Sequence, residues 1–150
     1  MWPQLLSILI LSILTVTIHG MGSYGIFLWL INWWKRKPTL TVAHVWLTLV
    51  SLVAVLLILH SLEISIWAEF YILQHCFADR ETAYYFSLTS YTTLGFGDVV
   101  LHRPWRIVAG WEAMIGVLMF GWSTASLLAF LHHVQTERLR RYLSYRPPGL

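Results

Sequence analysis

Three long runs without a formal charge divide the chain. Residues 1–34, 38–62 and 113–136 contain no Asp, Glu, Lys or Arg. Each exceeds the ~20 residues that an α-helix needs to cross the hydrocarbon core of a bilayer. The pattern predicts membrane helices from about Leu5 to Trp34, from about Leu40 to Phe70 and from about Trp105 to Leu131. Gly20, Gly22 and Gly25 permit bending or close packing in the second half of the first helix. Lys35-Arg36-Lys37-Pro38 predicts a short turn, with Pro38 suited to a new helix start. In the third helix Gly110, Gly116, Gly121, Ala125 and Ser126 offer small packing residues.

Composition closes the alternatives. Hydrophobic residues are 57% of the chain and charged residues 11%, against the ~25% charged of an ordinary globular domain. A soluble fold of 150 residues has too little interior for three such runs, and disorder needs low hydrophobicity and high charge. The net charge of +3 does not mark a nucleic-acid binder. Lys35, Arg36 and Lys37 sit together, as do Arg138, Arg140, Arg141 and Arg146, and both groups flank apolar segments as cytoplasmic loops do. Arg80, Arg103 and Arg106 are scattered on the opposite side. The N-terminus is therefore expected outside and the C-terminus in the cytoplasm, in a multi-pass protein of the cell (plasma or inner) membrane. Trp29, Trp33, Trp34 and Trp46 would mark the inner interface, and Trp67, Trp105 and Trp111 the outer one. The basic segments add some attraction for anionic lipid. Met-Trp-Pro-Gln lacks the positive start of a secretory leader, so the first helix is expected to stay. The single Cys76 excludes an internal disulfide framework and is read as inert, or at most a weak site of intersubunit contact.

Residues 71–104, between the second and third helices, do not resemble a polar connection. Asp79-Arg80-Glu81 precedes an uncharged aromatic and hydroxyl-rich run from Ala83 to Thr92. Acidic residues at its start favour a helix of about ten residues, or ~15 Å, half the hydrocarbon thickness. That length fits a re-entrant helix. Thr93-Leu94-Gly95-Phe96-Gly97-Asp98 follows. Glycines at alternate positions let the backbone take positive φ, so successive carbonyls can face one side. Non-helical backbone at membrane depth survives only when buried in protein or lining an aqueous path. Carbonyls ending at a threonine hydroxyl make a ladder for a dehydrated monovalent cation, and the preceding helix aims its negative end toward it.

Thr92-Thr93-Leu94-Gly95-Phe96-Gly97-Asp98 closely resembles the potassium-channel signature Thr-Thr-Val-Gly-Tyr-Gly-Asp. The resemblance covers about residues 40–131 and identifies the pore domain of the pore-loop channel superfamily: outer helix, pore helix, filter and inner helix. Residues 1–34 are then an additional N-terminal helix and 132–150 a short basic cytoplasmic tail. The resemblance implies an all-α membrane protein working as a C4 homotetramer, because one pore loop cannot encircle an ion. It implies K+ binding at Thr93, Leu94, Gly95 and Phe96, with Gly97 completing the filter. Asp98 would cap the outer mouth, Thr92, Tyr85 and Phe86 would support the filter, and Gly116 falls near the inner-helix hinge glycine. Leu94 and Phe96 replace the commoner Val and Tyr. Thr89 stands four residues before Thr93, where a glutamate would otherwise pair with Asp98. The first helix has no arginine ladder, so a voltage sensor is not expected.

Ionisable residues inside a membrane are costly and mark candidate functional positions. His60 and Glu63 are one turn apart in the second helix, and Glu112 lies in the outer third of the third. They are read as one buried set, open between a hydrogen-bonded brace, a pH-responsive element and a divalent-metal site. His19 is expected to be a neutral interhelical hydrogen-bonder, and His132-His133 a solvated face of the tail. The leading function is a passive, potassium-selective channel with no cofactor beyond K+ in the filter. The alternatives are a weakly selective Na+/K+ channel and a non-conducting scaffold or sensor on a channel fold. No nucleophile–base pair, spaced metal motif or phosphate loop points to an enzyme.

Overall fold

The computed structural model describes residues 2–36 and 41–144. It is all-helical over these residues: α1 is Trp2–Arg36, α2 Val42–Leu73, α3 Arg80–Tyr91 and α4 Arg106–Ser144. Helices α1, α2 and α4 are each long and apolar enough to cross a membrane. The expected order of three spans, with a short helix between the second and third, is what the structure shows. Of the turn expected at Lys35-Arg36-Lys37-Pro38, Lys35 and Arg36 instead continue α1, while Lys37, Pro38 and the basic residue Arg146 lie outside the described residues.

The boundaries differ from expectation where polar residues continue a helix without breaking it. α4 does not stop at Leu131 but runs on to Ser144. Its 39 residues give a length of roughly 58 Å at ~1.5 Å per residue, about twice a hydrocarbon core. The basic stretch through Arg138 and Arg141 is therefore helical, although it was expected as a tail. α1 is continuous through Gly20, Gly22 and Gly25. Gly22 is a packing position, since a Cβ there would lie 2.8 Å from the Leu59 methyl carbons of α2.

α3 is wedged between α2 and α4. Asp79 caps it, accepting from the Thr82 backbone N–H at 2.8 Å and from the Thr82 hydroxyl at 2.9 Å. These bonds hold the Asp79 carboxyl below its ordinary range. Arg80 at the start of α3 pairs with Glu69 of α2 at 2.9 Å.

The larger core cluster lies around α3, where Trp67, Tyr71, Phe86, Tyr91, Val108, Ile115 and Met119 pack with Ile8 and Leu11 of α1. Tyr71 and Phe86 meet edge to face at 5.3 Å, and Phe77 closes on Phe86 at 5.2 Å. A smaller cluster joins Leu52, Phe130 and Val134 in the other half. Trp67 corrects the interfacial reading: it is fully buried and its Nε1–H donates to the Thr15 hydroxyl at 3.0 Å. Trp29, Trp46 and Trp111 are exposed. Cys76 is half-buried, and burial pushes its thiol pKa up, away from the reactive thiolate.

Candidate functional site

α3 ends where the backbone turns left-handed. Thr92 is its C-cap, and Thr93 follows with φ 60°, Gly95 with 50° and Gly97 with 81°. The intervening Leu94 and Phe96 do not share this sign. In an ordinary strand successive carbonyls point to opposite sides. Alternating the handedness of φ cancels that reversal and can bring consecutive carbonyls to one face. A Cβ on Gly95 or Gly97 would meet no heavy atom within 4 Å. Within one chain, φ and not space calls for glycine there.

Thr93 takes a conformation that a β-branched residue avoids. The helix end holds it there. Its N–H donates to the Ser90 carbonyl at 3.0 Å, and the Gly95 N–H to the Thr89 carbonyl at 3.1 Å. The Thr92 hydroxyl donates to the Leu88 carbonyl at 2.7 Å. Beyond these ties, Thr93 to Asp98 stand exposed on the single chain, with Phe96 66% accessible. Asp98 has a partner that is not at position 89: the Tyr85 hydroxyl donates to its Oδ2 at 2.8 Å. That carboxylate holds the Tyr85 phenol above its ordinary pKa. Phe86 is buried in the aromatic cluster. Thr89 donates its hydroxyl back to the Phe86 carbonyl at 3.0 Å.

Behind the segment lie two buried carboxylates. The single set expected of His60, Glu63 and Glu112 divides in two. Glu63 Oε1 meets His19 Nδ1 at 2.9 Å, and Glu63 Oε2 accepts from the Tyr91 hydroxyl and lies 3.3 Å from His60 Nδ1. His60 Nδ1 is also 3.3 Å from the Tyr91 hydroxyl oxygen. The Ser123 hydroxyl closes the group, 3.0 Å from His60 Nε2 and 3.3 Å from His19 Nε2. Glu112 belongs to a second group. Its Oε2 accepts from the Tyr71 hydroxyl at 2.7 Å and its Oε1 from the Ser87 hydroxyl at 2.5 Å, while Ser87 also lies 2.9 Å from the Ile64 carbonyl.

Ser87 and Tyr91 are four residues apart, so they project from one face of α3. Each is held by a different carboxylate. The short helix is thereby fixed at two heights, from α2 through Glu63 and from α4 through Glu112. Sequence reasoning singled out the acids and His19 but not Tyr71, Ser87, Tyr91 or Ser123. Their signal was hydroxyl groups recurring in otherwise apolar segments, which also serve as ordinary helix residues.

Gly116 abuts the same helix end. A Cβ on it would fall 2.1 Å from the Tyr91 carbonyl oxygen and 3.0 Å from its carbon. α4 is helical through this point. A close approach of backbone to backbone accounts for the glycine without any appeal to movement. His132 and His133 lie on the exposed surface of α4.

This arrangement, two long apolar helices bracketing a short capped helix and an alternating-handed segment, agrees with what comparison finds. A family model described as an ion channel matches residues 45–133. The match spans more than half of the chain, and the chain belongs to this ion-channel family, of the two-span pore-domain type. α1 precedes the matched region. No curated protein and no solved structure matches the chain.

Proposed function

We propose that the protein is the subunit of a potassium-selective channel that conducts K+ passively through Thr93-Leu94-Gly95-Phe96-Gly97. The observation that carries this reading is the alternation of positive φ at residues 93, 95 and 97, directly after the C-terminal end of a helix. Carbonyls turned to one side replace the hydration shell of a monovalent cation, and the negative helix end favours it. Thr93 supplies the innermost oxygen and Asp98, steadied by Tyr85, the charge at the outer mouth.

The exposure of residues 93–98 on one chain is what a shared pore requires, because these groups must face an axis and not a lipid. Four copies around that axis give the homotetramer. The basic groups favour an N-terminus outside and a C-terminus in the cytoplasm of the cell membrane, and the inner basic residues suit anionic lipid headgroups.

The test is ion flux from liposomes containing the purified protein, under opposed K+ and Na+ gradients. Selective K+ flux that is lost in Gly95→Ala and Gly97→Ala is the expected result. Equal passage of Na+ would replace this reading with a weakly selective channel. No flux from intact tetramers would replace it with a scaffold. Native mass spectrometry should show four copies, and a dimer would contradict the shared pore.

A further inference from the structure

The cluster of His19, His60 and Glu63 is the group of titratable side chains, among the described residues, whose ligand atoms all lie within 4.8 Å of one another. Each residue is buried. Its hydrogen bonding is incomplete as drawn from the protein alone. Six contacts join the two rings, Glu63, Tyr91 and Ser123. With neutral rings and an ionised carboxylate, the hydrogens that can fill them are one on each imidazole, one on Tyr91 and one on Ser123. Two contacts are therefore left to share a hydrogen or to oppose lone pairs, around a buried negative charge. A cation at the centre of the group removes both defects.

We propose that His19 Nδ1, His60 Nδ1 and a Glu63 oxygen form a binding site for a divalent ion of the Zn2+ or Co2+ class. A tetrahedral ion of this kind holds nitrogen and carboxylate ligands at ~2.0–2.2 Å, which puts ligand atoms about 3.3 Å apart. His19 Nδ1 lies 2.9 Å from Glu63 Oε1 and His60 Nδ1 lies 3.3 Å from Oε2, so the two rings face different oxygens and the carboxylate turns to present one of them to the ion. The outer shell is already in place. Both Nε2 atoms converge on the Ser123 hydroxyl oxygen, at 3.0 Å and 3.3 Å. That oxygen can accept both N–H groups, which leaves both Nδ1 lone pairs facing inward. Tyr91 orients the carboxylate. Two imidazoles and one carboxylate leave a fourth position for water, and imidazole selects Zn2+ and its neighbours over Mg2+ or Ca2+.

A cavity of about 540 Å³, lined mostly by apolar side chains, lies beside the cluster among α1, α2 and α4; its lining includes Ser23, Leu56, Leu127 and, toward the helix ends, Lys35. Ser23, Leu56 and Leu127 are each four residues from His19, His60 and Ser123. The cavity thus reaches to within one helical turn of the cluster. The Ser23 hydroxyl oxygen is buried there with no protein partner, a place for the water that an entering ion would need.

Titrating Co2+ into the purified full-length protein in detergent, with visible spectroscopy and metal analysis, tests the site. We expect one ion per chain with the intense bands of tetrahedral Co2+. These should be absent in His19→Gln and Glu63→Gln and unchanged in the double variant His132→Gln, His133→Gln. His19→Cys guards against simple misfolding. It should keep the ion and add a thiolate-to-cobalt charge-transfer band, which appears only when residue 19 touches the metal. No ion bound by the native protein would overturn the site and leave a protonated brace. So would tetrahedral bands that survive His19→Gln, or His19→Cys without the new band. The readout is metal and not flux, so the site stands or falls apart from potassium selectivity.

Discussion

Gly116→Ala isolates the packing between the inner helix and the end of the pore helix. The added Cβ would lie 2.1 Å from the Tyr91 carbonyl oxygen and 3.1 Å from its Cδ1. Restoring ordinary contact near 3.3 Å needs a separation of roughly 1 Å between two backbones, not the turn of a flexible side chain. Overpacking a well-filled site costs ~1–3 kcal/mol, and this value should fall toward the upper end because Tyr91 is also tied to Glu63. Tyr91 is two residues before Thr93, so the displacement reaches the filter. Gly110→Ala is the control: a Cβ there meets nothing within 4 Å, and alanine improves helix propensity by ~1 kcal/mol. Thermal unfolding and subunit dissociation of the purified protein, with K+ flux beside them, measure the effect. We expect Gly116→Ala to lose both stability and selective flux while Gly110→Ala keeps both. Native stability with altered opening in Gly116→Ala would refute the packing argument and favour the hinge that the resemblance implies.

Other substitutions test the remaining contacts. Tyr91→Phe removes the hydroxyl that Glu63 accepts and should cost ~1–3 kcal/mol as a buried acceptor loses its donor, read as a lower unfolding temperature. Glu112→Ala should destabilise by a similar margin, whereas Glu112→Gln should be milder, because an amide can still accept from Tyr71 and meet Ser87; equal losses would show that these hydrogen bonds are not what matters. Tyr85→Phe should leave the fold intact and reduce K+ selectivity by freeing Asp98, measured by reversal potential. Asp79 is held below its ordinary pKa of 3.8 by Thr82, so its capping contribution is present above that value and disappears as pH falls through the lower folded one. The acid arm of a stability–pH curve should therefore flatten in Asp79→Asn, and only slightly, because the group is exposed.

Much of the fold was legible because bilayer crossing imposes a simple length rule on uncharged runs, and the short helix α3 was legible from its acidic start and uncharged body. Its first residue is Arg80, a little before the aromatic run, because Asp79 caps through a side chain that periodicity does not report. The positive φ at Gly95 and Gly97 could be read because only glycine takes it at little cost, but Thr93 at φ 60° could not, since nothing in a threonine announces that conformation. The end of α4 was misplaced for a related reason. Hydropathy marks where a helix leaves the lipid, not where its hydrogen bonds stop. The buried set was half legible. Charge inside an apolar run identifies Glu63 and Glu112, but which hydroxyl each receives depends on the rotation of four helices, and no one-dimensional spacing fixes that.

The position of α1 follows from the same polar layer. The region matched by the ion-channel family begins at residue 45, so α1 is additional to what the family shares. It is nevertheless bound at two heights: Thr15 accepts from Trp67 and His19 contacts both Glu63 and Ser123. Thr15 and His19 are four residues apart and both fully buried, so they form a polar stripe on the face of a mostly apolar helix that meets α2 and α4. Apolar packing alone gains little between helices in lipid, where tails compete for the same surfaces, and polar contacts add specificity. The stripe therefore selects one rotation and one depth for α1 against α2 and α4. Through Glu63 and Tyr91 that choice is passed to the end of α3, directly before the proposed filter. An additional helix that only thickened the protein would not need a histidine at that place.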